Sequence, residues 1–176
     1  TRQQRPAYVL FWSAGVMTPA GIREAQATGF PREKIYAIWW AGSDHDVKDI
    51  GDGAKGYNAI TIHNSAASDK VQDDLKKFVY DKNQGTGPAS SIGTLAHTRG
   101  MMISMLQVEA IRAAQEKFGK GKSLTPEQVK WGFENLNLTA DRLKALGFSE
   151  IMRPVKTSCS NHMGDDWARI VQWDGA

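Results

Sequence analysis

The sequence predicts an α/β fold built on a parallel sheet, and three observations carry that prediction. Two short apolar runs, YVLFWSAG from Tyr8 to Gly15 and IYAIWWAG from Ile35 to Gly42, are rich in β-branched and aromatic residues and lack polar alternation. Runs of this kind read as strands buried on both faces. Each ends in a small-residue turn and is followed by a helical pattern. The resulting strand–helix–strand order implies a right-handed parallel crossover. Open parallel sheets bind ligands in the crevice beyond the carboxyl ends of their strands. Those ends carry Trp12 and Ser13, then Trp39, Trp40, Gly42 and Ser43.

After the first strand, Thr18 and Pro19 read as the N-cap and first residue of a helix. That helix continues through Ile22 and Ala25 to Gly29, a left-handed cap, and Pro31 prevents its resumption. The Ile35 strand follows. A short helix from about Asp44 to Ile50 is broken by Gly51, Gly53 and Gly56. YNAITIH, from Tyr57 to His63, is a third strand with Ile60 and Ile62 on one face. Asn64 to Ser68, NSAAS, is small and polar and suits a crossing segment.

The character of the chain then changes. Ser68 or Asp69 opens a helix with Val71, Leu75, Phe78 and Val79 on one side. Asn83 to Ser91 is a loop, and a long helix follows from about Ile92 to Phe118. Its apolar positions, from Met101 to Ala114, cover more than one face and predict a well-buried helix. Thr125-Pro126-Glu127-Gln128 is a capping box. Thr139 caps a last helix that ends at Gly147, and Trp167 to Trp173 is a final strand.

Composition excludes several classes. The chain has 176 residues, 41% hydrophobic and 23% charged, within the range of globular proteins. Its net charge of +3 is scattered, without a basic arm or stripe, so nucleic acid is not expected as a partner. No apolar stretch approaches the roughly 20 residues of a membrane helix. Cys159 is the only cysteine, so no disulfide forms within the chain. Only TRQQRP precedes the first strand. A strand buried on both faces needs more neighbours than the chain offers, which predicts a fragment or a processed chain.

The strand ending FWSAG, the helix ending EAQATGF, the strand IYAIWWAGS and the run GAKGYNAITIH resemble the periplasmic solute-binding proteins of ABC importers, in particular the branched-chain amino acid-binding type. The later segments LAHTRGMMISMLQVEAI, EQVKWGFENL, TSCSNHMG and QWDGA fit the same order. The resemblance covers nearly the whole chain and rests on the order and spacing of elements. It implies a type I periplasmic binding protein-like fold of two lobes, each a parallel sheet flanked by helices, joined by three crossing segments, with the ligand between the lobes. On that scheme residues 1–64 are part of the C-terminal lobe and residues 65–152 are the returning part of the N-terminal lobe. Residues 153–176 cross back and add the last strand to the C-terminal lobe. The family's N-terminal half would precede Thr1. The implied location is periplasmic and the implied partners are a small-molecule ligand and a membrane permease, with no cofactor.

The candidate site joins both lines of reading. Trp12 and at least one of Trp39 and Trp40, which are adjacent in a strand and so face opposite sides, are expected to wall an apolar ligand, with Ser13 and Ser43 as hydrogen-bonding groups. The family helix commonly has an aromatic where this chain has His97, Thr98 and Arg99. Arg99 is a natural bidentate partner for a ligand carboxylate, or else a salt-bridge residue at a helix end. Cys159 and His162 are spaced as half a zinc site, but further ligands at usable spacing are absent, so a structural role is expected. A cysteine outside the chain could pair with Cys159 in an oxidising periplasm. GKGKS, residues 119–123, fails as a phosphate loop because Glu116 stands where a glycine is needed and a helix precedes it.

Two function classes follow. One is a receptor for a small carboxylate with an apolar body, such as an amino acid or aromatic acid. The other is a flavodoxin-like or Rossmann-like α/β enzyme. Against the enzyme, the chain lacks GxGxxG after a strand and a GxSxG elbow. His45, between Asp44 and Asp46, is the nearest acid–base cluster and reads as the start of a solvated helix.

Overall fold

Alternating strands and helices in the first third of the chain form one layered unit, and the helical stretch that follows forms another. A computed structural model describes residues 3–65 and 69–175. Its described residues group into a first unit, residues 3–62 with Thr94–Ala96 and residues 168–175, and a second, residues 63–65 and 69–93 with His97–Trp167.

In the first unit, strands β1 (Val9–Phe11), β2 (Ile35–Ala37) and β3 (Asn58–Thr61) are joined by a fourth, β6 (Arg169–Gln172), in the order β1-β2-β3-β6. β1, β2 and β3 are parallel, while β6 runs antiparallel to β3 with Ile60 opposite Ile170. The sheet is therefore mixed. Helix α1 (Met17–Ala27) and the short α2 (Asp44–Val47) connect the parallel strands. Ile22, Ala25, Phe30, Ile35, Ala37, Val47 and Ala59 form the core.

Three expectations are corrected here. β1 is not buried on both faces: Val9 and Phe11 pack on the core, but Leu10 is 86% exposed. Thr18 is not the N-cap of α1. The helix begins at Met17 after Val16, and Thr18 is turned inward, where its hydroxyl bonds that of Ser13 at 3.0 Å. Trp39 and Trp40 are not strand residues on opposite faces. β2 stops at Ala37, and both indoles lie in a single 3-10 turn, Trp39–Ala41.

The second unit contains α3 (Lys70–Phe78), most of α4 (Leu95–Phe118), α5 (Pro126–Glu134), α6 (Ala140–Leu146) and a small antiparallel pair, β4 (Asn137–Leu138) with β5 (Val155–Lys156). Residues 153–167, expected to form a crossing segment, group with this unit, and β5 gives them their sheet partner. The local signals read from the chain operate as such. Asp69 caps α3, the Thr125–Gln128 capping box starts α5, Thr139 caps α6, and Gly147 ends it in the left-handed conformation at φ 79°. Ser68, the other candidate cap for α3, lies outside the described residues.

α4 departs from its expected full burial. Met102, Met105, Glu109, Ala110 and Ala114 are buried along one stripe, whereas Ile103, Val108 and Ile111 are exposed. Its apolar excess therefore spills onto an open face. Phe78 is likewise exposed, with Lys77 and Lys82 over its ring, while the polar Gln72 of α3 is fully buried.

Candidate functional site

The turns that follow the parallel strands are shaped by glycine and small residues. After β1 the chain reverses at Gly15 (φ 54°), whose carbonyl accepts the Thr18 amide at 3.0 Å. Trp12 is left 81% exposed at the carboxyl end of β1, and Ser13 turns inward to Thr18. The Ser13 hydroxyl, expected to face a ligand, is thus engaged within the turn.

After β2 the Trp39–Ala41 turn is pinned from beneath. The Tyr57 hydroxyl donates to the Ala41 carbonyl at 2.8 Å, and burial pushes that hydroxyl's pKa up, so it stays a donor. Gly42 lies so close to β3 that a Cβ there would meet the Ala59 Cβ at 2.9 Å. Trp39 and Trp40 are 38% and 54% exposed, with ring centroids 6.4 Å apart. The register places Phe11 beside Ala37, and the Ile38 amide bonds the Phe11 carbonyl at 3.2 Å. Trp12 and the two adjacent indoles therefore lie at the same end of neighbouring strands. Partly exposed aromatics with a few polar groups are the usual lining of a small-molecule site.

Ser43 leads into α2 without capping it, and its hydroxyl oxygen is buried with no hydrogen-bond partner among the described residues. Asp44 accepts the amide of Leu95, the first residue of α4, at 3.0 Å. The neighbouring Asp46 carboxyl is raised above its ordinary value, chiefly by burial. This cluster pairs backbone groups, and His45 is exposed beside it.

The first turn of α4 carries the polar candidates. Thr98 is fully buried and its hydroxyl accepts from Gln72 Nε2 at 3.3 Å. His97 is partly buried, and desolvation lowers its pKa, favouring the neutral ring. Arg99, also partly buried, donates from Nε to His63 Nε2 at 3.2 Å. Burial lowers the pKa of its guanidinium from the ordinary value. His63 is fully buried, and its Nδ1 lies 3.0 Å from the Asn64 carbonyl.

Sequence reasoning does not single out His63 or Gln72. The strand-end rule that points to Trp12 and Trp39 also points, at the end of YNAITIH, to His63. Gln72 gave no signal, because a glutamine in an amphipathic helix ordinarily faces solvent.

Cys159 is an exposed free thiol, and His162 Nε2 lies 3.3 Å from Glu134 Oε1. Among the described residues no group of three or more potential ligands could hold a metal ion. A groove of about 620 Å³ beside α5, lined by Leu106, Val129, Phe133, Val155, His162 and Met163, contains none of the candidate ligand-binding residues. No helix of the described residues is long and apolar enough to cross a membrane.

The family model for periplasmic binding proteins matches residues 1–176. Among solved structures, one described as an ABC transporter permease from the Pseudomonas fluorescens group is 37% identical over 99% of this chain, with a TM-score of 0.84. A branched-chain amino acid ABC transporter from Thermus thermophilus, with bound valine, is 23% identical over 98% of the chain, with a TM-score of 0.71. A possible leucine/isoleucine/valine-binding protein from Rhodopirellula baltica SH 1 is 15% identical over 98%, with a TM-score of 0.63. These last two likenesses are in fold. The chain spans 42%, 44% and 42% of the three structures' own lengths. No curated protein matches it significantly.

Proposed function

The chain belongs to the periplasmic binding protein family, a family of solute-binding proteins rather than enzymes, and from that premise we propose that the full-length protein is the periplasmic receptor of an ABC importer for a small carboxylate with an apolar body. One observation carries the ligand class: exposed Trp12, Trp39 and Trp40 follow the carboxyl ends of two adjacent parallel strands. Indole faces suit a branched or aromatic body, while a sugar or urea would want more amide and carboxylate groups than these residues offer. Arg99 supplies a cation for the ligand carboxylate, with His97 on the same turn, and the buried hydroxyl of Ser43 supplies a further polar contact. Ser13 and Thr98 are left out of this set because their hydroxyls are bonded to Thr18 and Gln72. The valine bound by the Thermus thermophilus structure is consistent with the class.

The same proposal assigns the rest of the molecule. The first unit is part of the C-terminal lobe and the second is the returning part of the N-terminal lobe. The remaining N-terminal half of the receptor lies outside the present chain, and a membrane permease receives the solute.

The test is calorimetric titration of the full-length protein with L-valine, L-phenylalanine and benzoate, against glucose and urea. Binding of at least one carboxylate, with tryptophan quenching and no product formed, is the expected result. Arg99→Ala should weaken that binding by roughly ten- to a hundredfold, since a charge-assisted hydrogen bond is worth about 1.5–3 kcal/mol and each 1.4 kcal/mol is about tenfold. Arg99→Lys should recover only part, because an ammonium lacks the planar fork. Binding of glucose or urea alone overturns the ligand class.

A further inference from the structure

A chain of fixed contacts runs to Arg99 from a segment distant in sequence. Asn64 is held twice to the residues after α6. Its amide donates to the Ile151 carbonyl at 2.8 Å, and its Nδ2 donates to the Glu150 carbonyl at 2.7 Å. The Asn64 carbonyl in turn faces His63 Nδ1 at 3.0 Å. A carbonyl only accepts, so Nδ1 carries the ring proton. Nε2 then presents its lone pair, and it receives Arg99 Nε–H at 3.2 Å. His63 is fully buried, so bulk water does not readily replace this acceptor. A guanidinium is planar, and a bond at Nε sets the orientation of that plane.

We propose that His63, fixed as its Nδ1-protonated tautomer by Asn64, is the positioning residue that orients the Arg99 guanidinium toward a ligand carboxylate. This rests on the reading of Arg99 as the carboxylate anchor. It assigns His63 no contact with the ligand. A long, flexible arginine side chain pays rotamer entropy when it pairs with a ligand, and the His63 bond removes part of that cost in advance. The alternative is a buried polar pair that only ties the His63–Asn64 segment to the start of α4. The two readings differ in whether a change at His63 acts on affinity through Arg99.

The experiment is a double-mutant cycle in the full-length protein. Its probe is whichever of L-valine, L-phenylalanine and benzoate binds the wild type most tightly, read by calorimetric titration alongside ligand-free melts. His63→Leu removes the acceptor and should weaken binding about three- to tenfold, the worth of one hydrogen bond. His63→Gln places an amide oxygen near the Nε2 position and should restore most of that loss. In the Arg99→Ala background, His63→Leu should have no further effect on affinity. His63→Asn is too short to reach Arg99 and should lose affinity like His63→Leu, which provides a second reading if the leucine variant does not fold.

If Arg99→Ala weakens binding but His63→Leu and His63→Asn do not, the positioning role is wrong and the anchor stands. An equal loss in the Arg99→Ala background shows that His63 acts only through folding and also overturns the proposal. Unchanged affinity in Arg99→Ala removes the anchor itself. If none of the three carboxylates binds the wild type, the ligand class falls and the proposal falls with it.

Discussion

Glu109 shows what one buried charge does when its partners are complete. It lies on α4 at 2% exposure with both oxygens engaged. Arg142 Nη2 donates to Oε1 at 2.6 Å and its Nε to Oε2 at 2.9 Å, and Arg112 adds two bonds to Oε2 at 3.1 and 2.9 Å. The Arg142 bond, followed by burial acting in the opposite sense and then by Arg112, leaves the Glu109 pKa below its ordinary 4.5. A carboxylate whose folded pKa is depressed stabilises the fold fully above its unfolded value, and that contribution is lost as pH falls through the folded value. Glu109→Gln should therefore destabilise the full-length protein at neutral pH by about 1.5–3 kcal/mol in chemical denaturation. The lower end is favoured because both arginines are partly hydrated. The difference from wild type should shrink below the carboxylate range. A gap that stays constant through and below that range would show that shape, not charge, holds α4 to α6.

At the scale of elements, the contact between α5 and α4 depends on an absent side chain. A Cβ on Gly132 would overlap the carbonyl of Ala110 and lie 3.1 Å from the Ala114 Cβ. α5 thus meets α4 backbone to side chain, and the obstructing atoms belong to a helix that cannot yield cheaply. In an exposed helix, glycine to alanine gains about 1 kcal/mol of helix propensity. Here overpacking costs about 1–3 kcal/mol and the closest obstructing atom is backbone, so Gly132→Ala should not stabilise the protein and should cost up to about 2 kcal/mol net in urea denaturation. A gain in stability would mean that the helices lie further apart than described. The capping signals of α5 and α6 were legible in the chain because each involves residues three positions apart. Gly132 was not, because its partner Ala110 lies on the preceding helix, outside the reach of any local pattern.

At the scale of the molecule, the first unit has one covered face and one bare one. Val9, Phe11, Ala37, Ala59 and Val171 pack on the core, while Leu10, Ile60 and Ile170 lie exposed on the opposite side of the sheet. Contiguous exposed apolar faces are uncommon on stable monomers. The chain spans 42–44% of the solved structures it resembles, and on the proposed reading the remaining receptor covers this face. Residues 1–176 expressed alone should bind a hydrophobic dye or aggregate, whereas the full-length protein should do neither. A sharp cooperative melt of the isolated segment as a dye-silent monomer would show that the face needs no cover.

The sequence by itself determined the four strands of the first unit and the main helices, the parallel crossover between the first two strands, most helix starts and stops, and the family, but not the short pair β4 and β5. These depend on periodicity, caps and glycine turns, whose causes lie within a few residues of their effects. It also brought the strand-end aromatics into view, since the crevice rule needs only the ends of strands. Tertiary structure alone decided which faces are wet. An apolar residue such as Leu10 or Val108 reads the same in sequence whether or not a neighbour covers it. Packing also moved Trp39 and Trp40 into a turn, because Tyr57 and the close approach of Gly42 to Ala59 draw the chain away after Ala37. The polar pairs His63–Arg99 and Glu109–Arg142 are 36 and 33 residues apart. Such partners are chosen by where the fold brings buried groups that cannot remain unpaired, and no local pattern records that choice.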